Sequence, residues 1–168
     1  MHSPALDDLR RQLREIDRAL LRALAARARF PRHPAPRWPE TEIRRPPPPL
    51  ADILLALAPA GTAAPAPAAE NRALLDVLLA RQRLAEAIAD AKADLRPDDF
   101  RAALETGDRE KLLALLTDLP AELSRLDSIR AAAAELAPDL PAGLAPLLWR
   151  EYFIPWTRRS EVDHLLAP

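Results

Sequence analysis

NRALLDVLLARQRLAEAIADAK, residues 71–92, is the stretch on which the fold turns. Leu74, Leu78, position 81, Ala85, Ile88, position 92 and Leu95 recur at alternating spacings of four and three, which sets them on one stripe of a helix. The pattern predicts a long helix over residues 69–95, closed by Arg96-Pro97 because proline disfavours helical geometry in the residue before it. Two stripe positions are not apolar: they are Arg81 and Lys92. Their separation is close to three turns, so both cations point the same way, about 16 Å apart at a rise of roughly 1.5 Å per residue. A cation buried in an apolar seam is costly unless an anion compensates it. The seam therefore calls for internal carboxylates or an anionic ligand, unless both side chains lie at its edge and snorkel to water. Arginine is the prevailing cation, and Lys92 and Lys111 are the only lysines, so position 92 suggests a need for a compact ammonium.

Upstream, Leu6, Leu9, Leu13, Ile16, Leu20 and Ala23 trace a similar stripe and predict a helix over residues 4–30. Ser3 is placed to cap it, Pro4 suits its first position, and Asp7 and Asp8 suit its first turns. Arg27 continues this stripe and poses the same buried-cation problem. Between the two helices, residues 31–69 hold eleven of the nineteen prolines, including Pro46 to Pro49, and read as an extended linker. Within it Leu50 to Ala58 predicts a brief helix docking on the body, and RRPPPPL reads as a spacer or as a polyproline ligand. Downstream, helices broken by proline and glycine are expected over 100–104, 109–116, 120–137 and 141–166, the last interrupted at Pro155. The fold class is all-α: a helical bundle in which residues 1–30 and 70–168 pack as one domain.

Composition agrees. The chain has 168 residues, 49% hydrophobic and 29% charged, which suits one folded domain rather than a disordered chain. Three glycines and 4% aromatics leave little for strands. A net charge of −1, from 24 basic and 25 acidic residues, provides no field for a polyanion, so nucleic acid is not an expected partner. Without cysteine there is no thiolate chemistry, and His2, His33 and His164 lack metal-ligand spacing, so no metal is expected. The N-terminus is charged within ten residues and no run reaches the roughly 18 apolar residues that span a bilayer, so a soluble cytoplasmic protein is expected and no membrane partner.

The first helix, LRRQLREIDRALLRALAAR, carries Leu9, Arg10, Ile16, Asp17, Leu20, Leu21 and Arg27; the second carries Leu74, Leu75, Arg81, Leu84, Ala85, Ile88 and Lys92. In order and spacing these residues resemble the all-helical chorismate mutases. Their first long helix bears an arginine near its start, a leucine-aspartate-leucine-leucine pattern, a second arginine and a lysine eleven residues later. Position 38, where that lysine would follow Arg27, is Trp38, and the second helix lacks the first arginine. The chain reads as two partial copies of that helix, or as one helix interrupted by the linker. Asp108-Arg109-Glu110 matches the local chemistry of the family's next helix, whereas Glu122 and Arg125 match its spacing. Thr157 with Glu161 matches the last helix, and so, three residues on, does Ser160 with His164; Pro155 departs from the pattern.

The resemblance implies an isomerase of aromatic amino acid biosynthesis that rearranges chorismate to prephenate without nucleophile, metal or cofactor. Arg10, Arg27, Arg81, Arg109 and Arg125, with Glu110 and Thr157, would bind the dicarboxylate and hold its reactive conformation. Lys92 and a protonated Glu161 would stabilise the charge that builds on the breaking ether oxygen. Arg10 from one helix and Arg81 with Lys92 from the other would complete a site in a monomer, and a homodimer is equally compatible. Isochorismate-pyruvate lyase activity fits the same cations. A non-catalytic helical module is a further reading: there Arg81 and Lys92 would pair with carboxylates such as Glu110 or Glu122 and leave no cavity. In an enzyme they would line an enclosed pocket with Arg10 within reach.

Overall fold

The computed structural model describes residues 3–28 and 68–167. His2, His33, Trp38, the Leu50 to Ala58 island and nearly all of the proline-rich stretch lie outside them. The first long helix, α1 (Pro4–Ala28), and the second, α2 (Ala68–Leu95), form where the stripes place them. They pack antiparallel: Leu6 and Leu13 meet Leu84 and Ile88 at one end, and Leu20, Leu21 and Leu24 meet Leu74 and Leu78 at the other. Between those two apolar layers lies a polar one, with Asp17 and Arg81 buried against each other.

Arg96-Pro97 ends α2 and opens α3 (Pro97–Thr106), which stops at Gly107 in the left-handed conformation that glycine adopts without strain. Asp108 caps α4 (Arg109–Leu116), its carboxylate accepting from the Lys111 N–H at 2.9 Å. Asp118 does the same for α5 (Leu119–Leu136), accepting from the Ala121 N–H at 3.1 Å. After the loop around Gly143 come the short α6 (Leu144–Leu148), a π-helical turn (Trp149–Phe153) and α7 (Ile154–Leu165).

Pro155 follows directly on the π turn. Proline brings no N–H, so a regular helix would leave a carbonyl unbonded one turn back. Here the Ile154 N–H reaches back five residues to the Trp149 carbonyl, and Pro155 falls in the first turn of α7, where no donor is needed. Trp149 and Phe153 pack edge to face at 4.8 Å within the main core, beside Leu20, Leu24 and Leu78. A second core joins Ala89 of α2, Phe100 and Ala103 of α3, Leu112 and Leu116 of α4, and Val162 of α7. Thus α2 is gripped on both flanks, and α7 runs along it with Thr157 and Glu161 turned inward. Among the described residues no strand occurs, and no helix is long and apolar enough to cross a membrane.

Candidate active site

Five elements converge on one small cavity, α4 through Leu116. From α1 come Arg10 and Leu13, from α2 Ile88 and Lys92, from α5 Glu122 and Arg125 with Asp118 at its cap, and from α7 Thr157, Arg158 and Glu161. Helical spacing explains the gathering, since Glu122 with Arg125 and Thr157 with Glu161 each lie three or four residues apart on one face. The cavity measures about 50 Å³, room for a water or two. It adjoins an open groove of about 990 Å³ walled by α4 and the ends of α1 and α2, and Arg10, Lys92, Leu116, Asp118 and Arg158 line both.

Arg81 lies one layer beneath, fully buried and behind Thr157. Its Nε donates to Asp17 Oδ1 at 2.9 Å, and its Nη1 donates to the Thr157 hydroxyl and, at 3.4 Å, to the Phe153 carbonyl. The Phe153 ring lies 5.7 Å from the guanidinium carbon, within cation-π range. Arg125 approaches the other oxygen of Asp17 at 3.6 Å. One carboxylate thus serves two guanidinium groups, and Arg81 Nη2 retains a donor with no hydrogen-bond partner.

Lys92 Nζ donates to the Leu116 carbonyl at 2.5 Å and lies 3.9 Å from Glu161 Oε1. The Leu116 carbonyl is one of the unpaired acceptors at the end of α4, so the ammonium caps that helix while facing the cavity. An ammonium has three donors and this contact uses one. Burial pushes the Lys92 pKa down, opposed by the nearby Glu161 carboxylate. Burial likewise pushes Glu161 above the usual carboxylate range, with Lys92, Arg125 and Arg81 pulling the other way. Arg125 is lowered by desolvation and supported by Asp17. Across the mouth Arg10 Nη2 donates to Asp118 Oδ2 at 2.6 Å, and Arg158 grips Glu122 with two donors, one at 2.8 Å. The lining holds four cations against three carboxylates. Protonating Glu161 would leave two positive charges unmatched, the charge of a dicarboxylate ligand.

Six expected residues, Arg10, Arg81, Lys92, Arg125, Thr157 and Glu161, are brought together, Arg81 from beneath. Three are not. Arg27 is buried near the far end of α1, roughly 25 Å from Arg10 along the axis. There desolvation lowers its pKa and Glu70 supports its charge. Arg109 pairs with Asp163 on an exposed edge. Glu110 lines the outer groove rather than the cavity. The local match at Asp108-Arg109-Glu110 is a helix-capping pattern, and the alternative by spacing, Glu122 and Arg125, is the one that reaches the site. On α7, His164 instead meets Asp90 at 2.9 Å outside the cavity.

Sequence reasoning missed Asp118, Arg158 and the service of Asp17. Asp118 carries a capping signal, an acid before Leu-Pro, that hides its second contact. Arg158 stands one residue from Thr157, off the face by about 100° at 3.6 residues per turn, and enters only because its side chain is long.

The architecture is that of a known enzyme class. The chain has the fold of the all-helical chorismate mutases. It superposes on the chloroplast chorismate mutase from Zea mays with a TM-score of 0.77 at 20% identity, covering 97% of this chain and 94% of that one. It matches AtCM1 with tyrosine bound in an allosteric site equally well, with a TM-score of 0.77 at 16% identity over 98% and 96% of the two chains. No protein-family model and no curated protein matches the sequence.

Proposed function

We propose that the chain is a chorismate mutase-like isomerase that binds the chorismate dianion in this cationic pocket and turns it to prephenate. The observation that carries the reading is the facing pair Lys92 and Glu161, buried in a cationic cavity, with opposite pKa displacements of the same cause. A pericyclic rearrangement asks the protein for two things. The first is positioning, and Arg10, Arg125 and Arg158 at the wall would hold two carboxylates in the folded-over conformation, with Arg81 beneath fixing Thr157. The second is stabilisation of charge on the ether oxygen as its carbon bond breaks. Lys92 and a protonated Glu161 would donate to it from their buried positions. The cavity of about 50 Å³ is well short of the roughly 300 Å³ of an ordinary ligand pocket. Binding therefore requires the ion pairs at the mouth to open towards the groove.

A second reading, a non-catalytic helical module, is favoured by how many cations already find partners in the chain: Arg81 with Asp17, Arg158 with Glu122, Arg10 with Asp118. Loss of chorismate absorbance, with products identified, separates the two. Prephenate formation that falls a hundredfold or more in Lys92→Ala, about 2.7 kcal/mol of barrier, supports the mutase. No turnover by the folded parent protein selects the module, and pyruvate release would select a lyase.

A further inference from the structure

Asp118 divides its carboxylate between two tasks. Oδ1 accepts from the Ala121 N–H and caps α5, the helix that carries Glu122 and Arg125; Oδ2 accepts from Arg10 Nη2 at 2.6 Å. Both residues line the cavity and the groove together, so their pair stands at the neck between them. Arg10 thereby makes, with its own chain, the contact that a ligand carboxylate would make.

We infer that Asp118 is a positioning residue, an internal stand-in for a ligand carboxylate that holds Arg10 at the neck and sets ligand affinity by competing for it. The inference rests on the anion-binding role proposed above. A dianion enters by exchange: Arg10 leaves Asp118, the neck widens, and the ligand takes the guanidinium. Because part of the protein's population is always self-occupied, the apparent affinity is reduced by that fraction. The side chains are 25% and 37% exposed, so the pair is of moderate strength and exchange is accessible.

The two tasks separate in Asp118→Asn. Asparagine caps a helix as well as aspartate does and still offers Arg10 a neutral acceptor, but it removes the nearer competing charge, leaving the longer contact of Arg10 to Asp7 at 3.9 Å. Prephenate binding to the parent and to Asp118→Asn is measured by calorimetry at two salt concentrations, alongside chorismate turnover. The variant is expected to bind roughly two- to fivefold more tightly, the worth of a part-exposed ion pair. Its affinity should fall more steeply with salt, and in turnover the gain should appear as a lower KM. Loss of a structural contact would weaken binding, so tighter binding marks competition. Equal or weaker binding by the variant, or no binding by either protein, overturns the inference. Tighter binding without any turnover of chorismate would leave it standing and remove the mutase reading instead.

Discussion

Asp17 and Glu161 are both buried carboxylates, yet they sit in opposite circumstances. Asp17 faces two guanidinium groups, Arg81 at 2.9 Å and Arg125 at 3.6 Å, in a layer where the Arg81 and Asp17 side chains are 0% and 2% exposed. Breaking a buried pair by removing one partner strands the other charge and typically costs about 3–5 kcal/mol. Arg81→Ala leaves Asp17 with Arg125 still beside it, whereas Asp17→Ala strands two cations; urea unfolding should find both strongly destabilised, Asp17→Ala the more so. Equal or reversed losses would mean that Arg125 takes no support from Asp17. Glu161 faces Lys92 at 3.9 Å, beyond hydrogen-bond range, and burial dominates its titration. Its raised pKa extends the protonated form to higher pH than an ordinary glutamate reaches. If the neutral acid is the donor to the ether oxygen, kcat/KM falls as pH rises through that pKa, and Glu161→Gln, which donates at every pH, flattens the profile. A parent rate that climbs with pH instead would show that the carboxylate, not the acid, is the working form.

Helix boundaries answer to local chemistry, and the last helix shows where that runs out. Asp108 before α4 is a capping acid with its bond to the Lys111 N–H in place. Asp108→Ala should cost about 1 kcal/mol, seen as a lower urea midpoint, while the cavity, to which Asp108 contributes nothing, keeps its lining. The long helices were legible because hydrophobic spacing is a property of the segment alone. Leu74, Leu78, Ala85 and Ile88 are each buried as the stripe demands. The stripe also marked Arg81 and Lys92 as cations in a seam. Whether those cations served a ligand, a carboxylate or a helix end was not legible, because Asp17, Glu161 and the Leu116 carbonyl reach them from distant parts of the chain. The register of α7 was equally hidden. Pro155 announces an interruption, but a loop, a kink and a π turn all answer it, and only packing of Trp149 and Phe153 into the core selects the π turn that turns Thr157 and Glu161 inward.

Across the described residues, a chain of net charge −1 buries Asp17, Arg81 and Glu161 with Lys92 around one end of the α1–α2 pair, and Arg27 towards the other. Folding therefore spends part of its hydrophobic gain on holding Lys92 and Glu161 out of water, and that expense depends on pH. Below the unfolded pKa of glutamate, near 4.3, Glu161 is protonated in both states and contributes no penalty. Above its raised folded pKa it is ionised in both, and the fold carries the full cost of a buried carboxylate, so its contribution to stability is lost as pH rises between the two. Lys92, with its pKa lowered, bears the converse cost at all pH values below its folded pKa and is relieved only towards alkaline pH. Paired surface carboxylates act in the opposite direction, gaining stability as pH rises from acid, so the parent's own curve mixes both effects. The difference between Glu161→Gln and the parent isolates the buried group: the variant should gain on the parent steadily as pH rises above about 4.3. Urea unfolding of both proteins from acid to neutral pH tests this. Parallel curves would mean that Glu161 has the same pKa folded and unfolded, and would remove the raised pKa behind the proposed donor's pH dependence together with the folding penalty.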